Sequence, residues 1–335
     1  MRKALSTRVL TLGLLALLCF LPATTALLAQ QAELDAAAVQ VEVYHEKSVI
    51  PGGLLRGAVL LGEEPERMTA RLLDAGGGER TRSHGFSAGT AKGKLVWCFL
   101  LGLPSTLKGG SYTLAVEGSA GKGSFRYQGE VSVGEQSFLF ERVVLSPGVF
   151  KLLTERDPRK EEEARQLNAL LESFDCSALF HTGVFILPVR AIRTSGTYAD
   201  RREYLYEGGA SALSLHNGID LAADCGTPVS ACAAGRVMLA SFRLLSGNTI
   251  VLEHLPGVFS LYYHLQSLAV SPGDTVAQGQ VVGRVGSTGA STGPHLHWEV
   301  RVSAVAVNPL ALIDSPLLDK NALIGILESD LIERR

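Results

Sequence analysis

Residues 295–302 read His-Leu-His-Trp-Glu-Val-Arg-Val, an alternation of polar and apolar side chains. This alternation predicts a β-strand with one face in a core, because residues two apart lie on the same face of a strand. We expect His295, His297 and Glu299 on the polar face. Two neighbouring imidazoles can bind one metal ion, or divide into one ligand and one catalytic partner. Histidine pairs on strands also occur as ordinary surface residues.

A second polar pair precedes this strand, in the segment His216-Asn-Gly-Ile-Asp220. A fully extended strand would separate two Cα atoms four residues apart by roughly 13 Å. Zinc ligands place their atoms only about 2 Å from the ion, so a shared ion requires a bend. Asn217-Gly218 is a dipeptide suited to one. The segment predicts either a metal-binding bend or a turn that carries an unrelated histidine and aspartate.

Two further histidines follow strand-like runs. The run Leu261-Tyr-Tyr-His264 predicts that Tyr262 and His264 share a face, and its alternatives are a catalytic position and a packed strand end. His254, after another apolar run, is interpreted as a structural or surface residue.

Taken together, these segments resemble the lysostaphin-type, LytM-like zinc endopeptidases that act on peptidoglycan. The resemblance covers about Thr182 to Pro309. It is carried by His216-Asn-Gly-Ile-Asp-Leu-Ala-Ala223, Gly226-Thr-Pro-Val229, Ala233-Ala-Gly-Arg-Val237, Gly247-Asn-Thr-Ile-Val251, Tyr263-His-Leu265, Gly273-Asp-Thr-Val276, Gly279-Gln280, Gly286-Ser-Thr-Gly289, Ser291-Thr-Gly-Pro-His-Leu-His-Trp298 and Asn308-Pro309.

The resemblance implies one zinc ion bound by His216, Asp220 and His297. It also implies that His264 and His295 form the catalytic pair. Such a set is chemically coherent, because three protein ligands leave one position of a tetrahedral zinc ion open for water. The chain lacks an H-E-x-x-H motif, and imidazole groups that titrate near neutral pH are suitable replacements for its glutamate base.

The remaining sequence predicts a mainly β protein with two β-rich parts. Short alternating runs separated by Gly and Pro clusters predict a β-sandwich over residues 36–147, of which the immunoglobulin-like arrangement is one form. Residues 148–180 are predicted to be a helical linker that includes a helix capped by Asp157. The β-rich peptidase domain spans residues 181–312, and a helical tail spans residues 313–335.

The N-terminus predicts export across the bacterial cytoplasmic membrane. Basic residues precede an apolar run from Val9 to Leu21, and Pro22 and small residues follow it, as in a signal peptide over residues 1–29. An uncleaved membrane anchor is the alternative. Lipidation of Cys19 is disfavoured because a leucine, not a small residue, precedes it. The expected location is periplasmic, cell-envelope or extracellular, with membrane contact only through this segment.

Charge and cysteine content exclude other classes of function. A net charge of −2 without a clustered basic face gives no footprint for nucleic acid. The cysteines show no C-x-x-C spacing, so a thiolate zinc site is not expected. Cys98 lies in an apolar run and is predicted to be a core residue. Cys225 and Cys232 are close enough in sequence to pair in an oxidising compartment, and the sequence leaves that pairing open.

The predicted function is a secreted zinc metalloendopeptidase that hydrolyses peptide bonds in peptidoglycan stems or cross-links. The alternative is a non-catalytic cell-wall-binding or amidase-activating protein with the same fold. A carbohydrate-binding protein has little support, because aromatic residues that could stack on sugars are scarce: the chain has 8 Tyr and 2 Trp.

Overall fold

A computed structural model describes residues 39–205 and 211–325. The protein is mainly β, as predicted. The segment interpreted as a signal peptide or anchor lies outside the described residues. Within the described ranges, no helix is both long and apolar enough to span a bilayer.

The N-terminal part is an eight-stranded sheet that folds over on itself. Its strands are β1 (Glu42–His45), β2 (Ser48–Val49), β3 (Leu54–Leu61), β4 (Pro65–Leu73), β5 (Glu79–Ala91), β6 (Lys94–Gly102), β7 (Gly110–Ala120) and β8 (Gly123–Val133), in the order β1-β3-β6-β5-β4-β7-β8-β2. The first residues of β5 pair with β4 and its last residues pair with β6. The strand therefore passes from one layer of the sandwich to the other, and an apolar core fills the space between the layers.

Strands β3 and β6 are buried on both faces. One face packs inside the sandwich, while the other, which includes Ala58 and Cys98, joins the core of the C-terminal part. Double burial explains why both strands are mostly apolar and do not alternate, with Arg56 in β3 and Lys94 at the start of β6 as the charged exceptions. At the contact between the two parts, a Cβ on Gly102 would lie 2.7 Å from the Val302 carbonyl oxygen, so the close approach requires glycine. The prediction that Cys98 is a core residue is confirmed.

Helices connect the two β-rich parts. The first is α1 (Pro147–Thr154) and the second is α2 (Pro158–Leu171). Asp157 caps α2 as the sequence predicts, because its carboxylate accepts a hydrogen bond from the Arg159 backbone N–H at 2.9 Å. The apolar side of α2 then packs through Leu171 on Phe259 and Leu261 of the C-terminal sheet.

The C-terminal part contains three sheets. One strand of these sheets, β9 (Phe140–Val144), precedes α1 in the chain. The strands that follow α2 are β10 (Arg193–Gly196), β11 (Arg201–Leu205), β12 (Ser211–Leu215), β13 (Ile219–Ala222), β14 (Pro228–Ser230), β15 (Gly235–Arg243), β16 (Gly247–Leu255), β17 (Val258–Leu265), β18 (Ser267–Leu268), β19 (Thr275–Val276), β20 (Val281–Arg284), β21 (His295–Val302) and β22 (Val305–Val307). The main sheet has the order β10-β13-β21-β17-β16-β15-β19, with β22 beside β21. Two smaller sheets have the orders β14-β20-β18 and β12-β11-β9.

The helical tail predicted over residues 313–335 is wrong for most of its described part. Between residues 313 and 325 only α3 (Lys320–Leu323) is helical, after a 3-10 turn (Pro309–Leu312), and residues 326–335 lie outside the described ranges. Residues 317 and 318 are not helical because their backbone N–H groups donate to the carbonyl oxygens of Gly183 and Thr182.

The sequence leaves the pairing of Cys225 with Cys232 open. The structure shows no disulfide between them: both are free, the first exposed and the second buried.

Candidate metal and catalytic site

The register of two neighbouring strands places Asp220 beside His297. Strand β13 pairs antiparallel with β21, and these two residues are direct cross-strand partners. His216 reaches them because the chain bends at Asn217-Gly218, between β12 and β13. A Cβ on Gly218 would lie 2.3 Å from the Trp298 carbonyl oxygen, so the bend packs against β21 with room only for glycine. The predicted bend is therefore present.

The three side chains converge on one point. Asp220 Oδ1 lies 3.0 Å from His216 Nε2 and 2.8 Å from His297 Nδ1, and the two nitrogens are 3.0 Å apart. All three residues are buried, each less than one-tenth exposed. Two imidazole nitrogens and one carboxylate oxygen at this separation form a donor set that suits a divalent transition metal.

Hydrogen bonds on the far side of each ring fix which nitrogen faces the cluster. His216 Nδ1 donates to the Thr197 carbonyl oxygen at 2.7 Å, which turns Nε2 towards the cluster. His297 Nε2 donates to Glu299 Oε1 at 2.9 Å, which turns Nδ1 towards the cluster. Partners of this kind orient histidine ligands at metal sites. The residues present therefore fit a metal ion in both chemistry and orientation.

Hydrogen bonds and nearby charges keep the carboxylates of Asp220 and Glu299 ionised. Burial disfavours the charged form of Asp220, but hydrogen bonds to His216 and His297 outweigh burial and hold the pKa of this carboxyl well below its usual range. Burial likewise disfavours ionised Glu299, but Arg301 and His297 lower its pKa to about 2. Hydrogen bonds to both carboxylates in turn overcome burial and raise the pKa of His297 to about 9.

His264 and His295 form a second pair beside the cluster, with ring centroids 4.8 Å apart. Each Nδ1 donates to a backbone carbonyl oxygen at 2.8 Å: that of Thr288 for His264 and that of Gly293 for His295. Both Nε2 atoms are thereby left as acceptors. Burial lowers the pKa of His264 to about 3 and also lowers the pKa of His295, which favours neutral rings. His295 Nε2 lies 3.7 Å from Asp220 Oδ1.

The backbone at His264 differs from an ordinary strand. Its φ of 61° lies in the left-handed region, next to an irregularity in the pairing of β16 with β17. As a result, His264 lines the same cavity as Tyr263, whereas Tyr262 points into the core and accepts a hydrogen bond from the Cys232 backbone N–H. The expectation that Tyr262 and His264 share a face is therefore wrong.

A cavity of about 290 Å³ lies over the cluster. One side carries the histidines, Asp220 and Glu299, so the predicted polar face of β21 is confirmed. Apolar residues also line the cavity, and four of them come from the chain between β9 and α1: Val143, Leu145, Val149 and Leu153. His254 is buried away from this cavity, where its Nδ1 donates to the Ala234 carbonyl oxygen and its Nε2 lies 2.7 Å from Ser260 Oγ.

Residues 214–309 match Peptidase family M23. This segment is similar to M23 peptidase domains. The chain is 46% identical over 98 residues to the DD-carboxypeptidase/endopeptidase Mpg of Neisseria meningitidis, which corresponds to 29% of this chain and 23% of that protein. It is 37% identical over 122 residues to the peptidoglycan DD-endopeptidase ShyC of Vibrio cholerae, which corresponds to 36% of this chain and 28% of that protein. The chain thus spans about a quarter of these relatives.

A Pseudomonas aeruginosa structure assigned to peptidase M23 resembles more of the chain. It is 28% identical, has a TM-score of 0.51 and covers 79% of this chain and 94% of its own. The similarity therefore extends beyond the M23 domain into the upstream part.

All five residues singled out from the sequence lie within the matched domain, residues 214–309, and line one cavity. The sequence does not predict the roles of two polar neighbours, Glu299 and Arg202. Glu299 was placed on the right face, but its hydrogen bond to His297 depends on side-chain geometry. Arg202 precedes the domain, and its Nη2 donates to Asp220 Oδ2 at 2.8 Å. No spacing rule connects this arginine to the histidine motifs.

Glu299 should also matter for the stability of the C-terminal part. It accepts hydrogen bonds from both His297 and Arg301 and is 4% exposed. Glu299→Leu leaves the largely buried Arg301 charge without its partner, so we expect the free energy of unfolding to fall by about 3–5 kcal/mol. Urea denaturation followed by tryptophan fluorescence measures this change.

The matched control is Glu203→Leu. Glu203 pairs with Arg142 at 2.9 Å, and that arginine side chain is 69% exposed. A surface pair of this kind contributes about 0–1 kcal/mol. Equal losses in the two variants would contradict the role assigned to Glu299.

Proposed function

We propose that this protein is a zinc-dependent metalloendopeptidase that hydrolyses peptide bonds in peptidoglycan stems or cross-links. The observation that carries the proposal is the convergence of His216, Asp220 and His297, with a second histidine pair beside them. The names of the M23 relatives, which include a peptidoglycan DD-endopeptidase, support the substrate. We also propose export to the cell envelope, where peptidoglycan is found.

Zinc is the metal that the donor set favours, because two imidazoles and one carboxylate are its usual ligands in catalytic sites. His216 would bind it through Nε2, His297 through Nδ1 and Asp220 through Oδ1. When bound, Zn²⁺ would act as a Lewis acid and lower the pKa of a coordinated water towards about 7.

The neutral histidine pair would supply proton transfer. With each Nδ1 held by a backbone carbonyl, His264 Nε2 and His295 Nε2 present lone pairs to the cavity. One ring would accept the proton of the attacking water and return it to the nitrogen of the leaving amine. The other would accept a hydrogen bond from the same water through Nε2 and so orient it for attack.

The test is digestion of purified peptidoglycan sacculi by the full chain. We expect new amino termini, and mass analysis of the released fragments should show cleavage within the peptide part. Removing metal with 1,10-phenanthroline should stop the release, and a stoichiometric amount of zinc should restore it. Intact peptides, with or without zinc, would overturn the proposal and leave a non-catalytic wall-binding or amidase-activating protein.

A further inference from the structure

Arg202 contacts the cluster of His216, Asp220 and His297 from a different sheet. The arginine belongs to β11, in the small sheet β12-β11-β9, whereas Asp220 belongs to the main sheet. Both side chains are only 12% exposed, and their ion pair joins Arg202 Nη2 to Asp220 Oδ2 at 2.8 Å. An arginine this buried has a defined position, so it constrains whatever it binds.

The two oxygens of Asp220 are divided between two partners. Oδ1 lies within 3.0 Å of a nitrogen from each of His216 and His297. Oδ2 accepts from Arg202. A carboxylate held at one oxygen cannot rotate freely about its Cβ–Cγ bond, so the ion pair fixes Oδ1 as the oxygen that faces the two imidazoles.

A glycine makes room for this ion pair. Gly196 is the partner of Asp220 in the pairing of β10 with β13. A Cβ at this position would lie 2.1 Å from Arg202 Nη2 and 2.5 Å from Asp220 Oδ2. Any larger residue would therefore displace one member of the pair.

Glu141 lies near the opposite end of the guanidinium group. It is the strand partner of Arg202 on β9, and its Oε2 lies 3.3 Å from Arg202 Nε, without a hydrogen bond to that nitrogen. The Glu141 side chain is 45% exposed, so this contact is the weaker of the two. The contact that orients the guanidinium group is therefore the hydrogen-bonded one with Asp220.

We infer that Arg202 is a positioning residue, which orients Asp220 so that a single oxygen is presented to the metal. This inference rests on the proposed function, because the metal is part of it. Arg202 borders the cavity, so binding of a substrate carboxylate is the competing role. The two roles differ in what they predict for the metal-binding step, which takes place without substrate.

The experiment measures the zinc affinity of the full chain by competition with a chromophoric chelator, with zinc alone as the probe. Arg202→Met keeps the bulk of the buried side chain but removes its charge and donors. We expect affinity to fall about 10- to 100-fold, as for other partners of metal ligands. Arg202→Lys should recover part of the loss. Arg142→Met, from an exposed ion pair in the same sheet, is the matched control and should bind zinc like the wild type.

A variant at Gly196 tests the same ion pair between Arg202 and Asp220 without changing either residue. Gly196→Ala should weaken zinc binding in the same direction, and combining it with Arg202→Met should add little, since both remove one interaction. In peptidoglycan digestion, the loss in Arg202→Met should appear in kcat more than in KM, measured at saturating zinc.

Unchanged zinc affinity in Arg202→Met and Gly196→Ala would overturn the inference. If Arg202→Met had normal zinc affinity but a raised KM, Arg202 would be assigned to substrate binding instead. A wild-type chain that binds zinc but leaves sacculi intact would contradict the proposed function alone, while its variants still test Arg202 through affinity. A wild-type chain without zinc affinity would overturn both.

Discussion

Replacing His297 with alanine should abolish peptidoglycan hydrolysis and weaken zinc binding by roughly 10²- to 10³-fold. Zinc held by four protein ligands binds with about 10–16 kcal/mol in small domains, so each ligand contributes on the order of 3–4 kcal/mol. His297 is central to the cluster, because its Nδ1 lies within 3.0 Å of both other donors. Competition titration with zinc and digestion of sacculi measure the two effects.

The control for this variant is His45→Ala. His45 is another buried histidine, 8% exposed, but it lies in the N-terminal sandwich, where Nδ1 donates to the Glu46 carbonyl oxygen. Its loss should lower stability without changing zinc affinity. Normal zinc binding or retained hydrolysis in His297→Ala would remove His297 from the ligand set.

The second large effect is expected at His264, where the variant of choice is His264→Asn. Asparagine is chosen because it tolerates the left-handed backbone that His264 adopts. General acid–base catalysis contributes about 10²- to 10⁴-fold, so kcat should fall by a factor in that range while one zinc ion is still bound. The digestion rate at saturating sacculi and the zinc content by mass spectrometry give the two values.

His254→Asn is the matched control, because His254 is fully buried in the adjacent strand and does not line the cavity. That variant should digest peptidoglycan at the wild-type rate per folded molecule. If His264→Asn lost its zinc, the residue would be a ligand and not a catalytic base. If it kept both zinc and activity, His264 would have neither role.

Local patterns predicted much of the fold because short-range physics determines them. The alternation along β21 correctly separated Trp298 in the core from His297 on the polar face, since strand geometry imposes that period. The Asp157 cap predicted the start of α2 for a similar reason: the capping hydrogen bond is made within three residues.

Other features depend on contacts between distant segments. Tyr262 and His264 lie on different faces because a left-handed residue interrupts the strand, and nothing in the run of tyrosines indicates it. The apolar spacing of the tail predicts a helix, but the backbone N–H groups of Leu317 and Leu318 donate to the carbonyl oxygens of Gly183 and Thr182. Hydrogen bonds with a segment so far away in sequence override local helix propensity.

The sequence predicted that His216, Asp220 and His297 lie together, but it did not predict the contacts that support them. His216, Asp220 and His297 belong to motifs of a recognisable family. By contrast, Arg202 reaches Asp220 only because β9, β11 and β12 form a sheet beside the cluster, with β9 and β11 parallel. Parallel pairing joins segments separated by two helices, and no local pattern encodes that juxtaposition.

The central claim is the identity of the three metal ligands. Crystals of the full chain grown with zinc, measured at the zinc absorption edge, test it most directly. We predict one anomalous peak bonded to His216 Nε2, Asp220 Oδ1 and His297 Nδ1 at about 2.0–2.2 Å. A peak bonded to other donors, such as His254 and Cys232, with none between these three residues, would contradict the account.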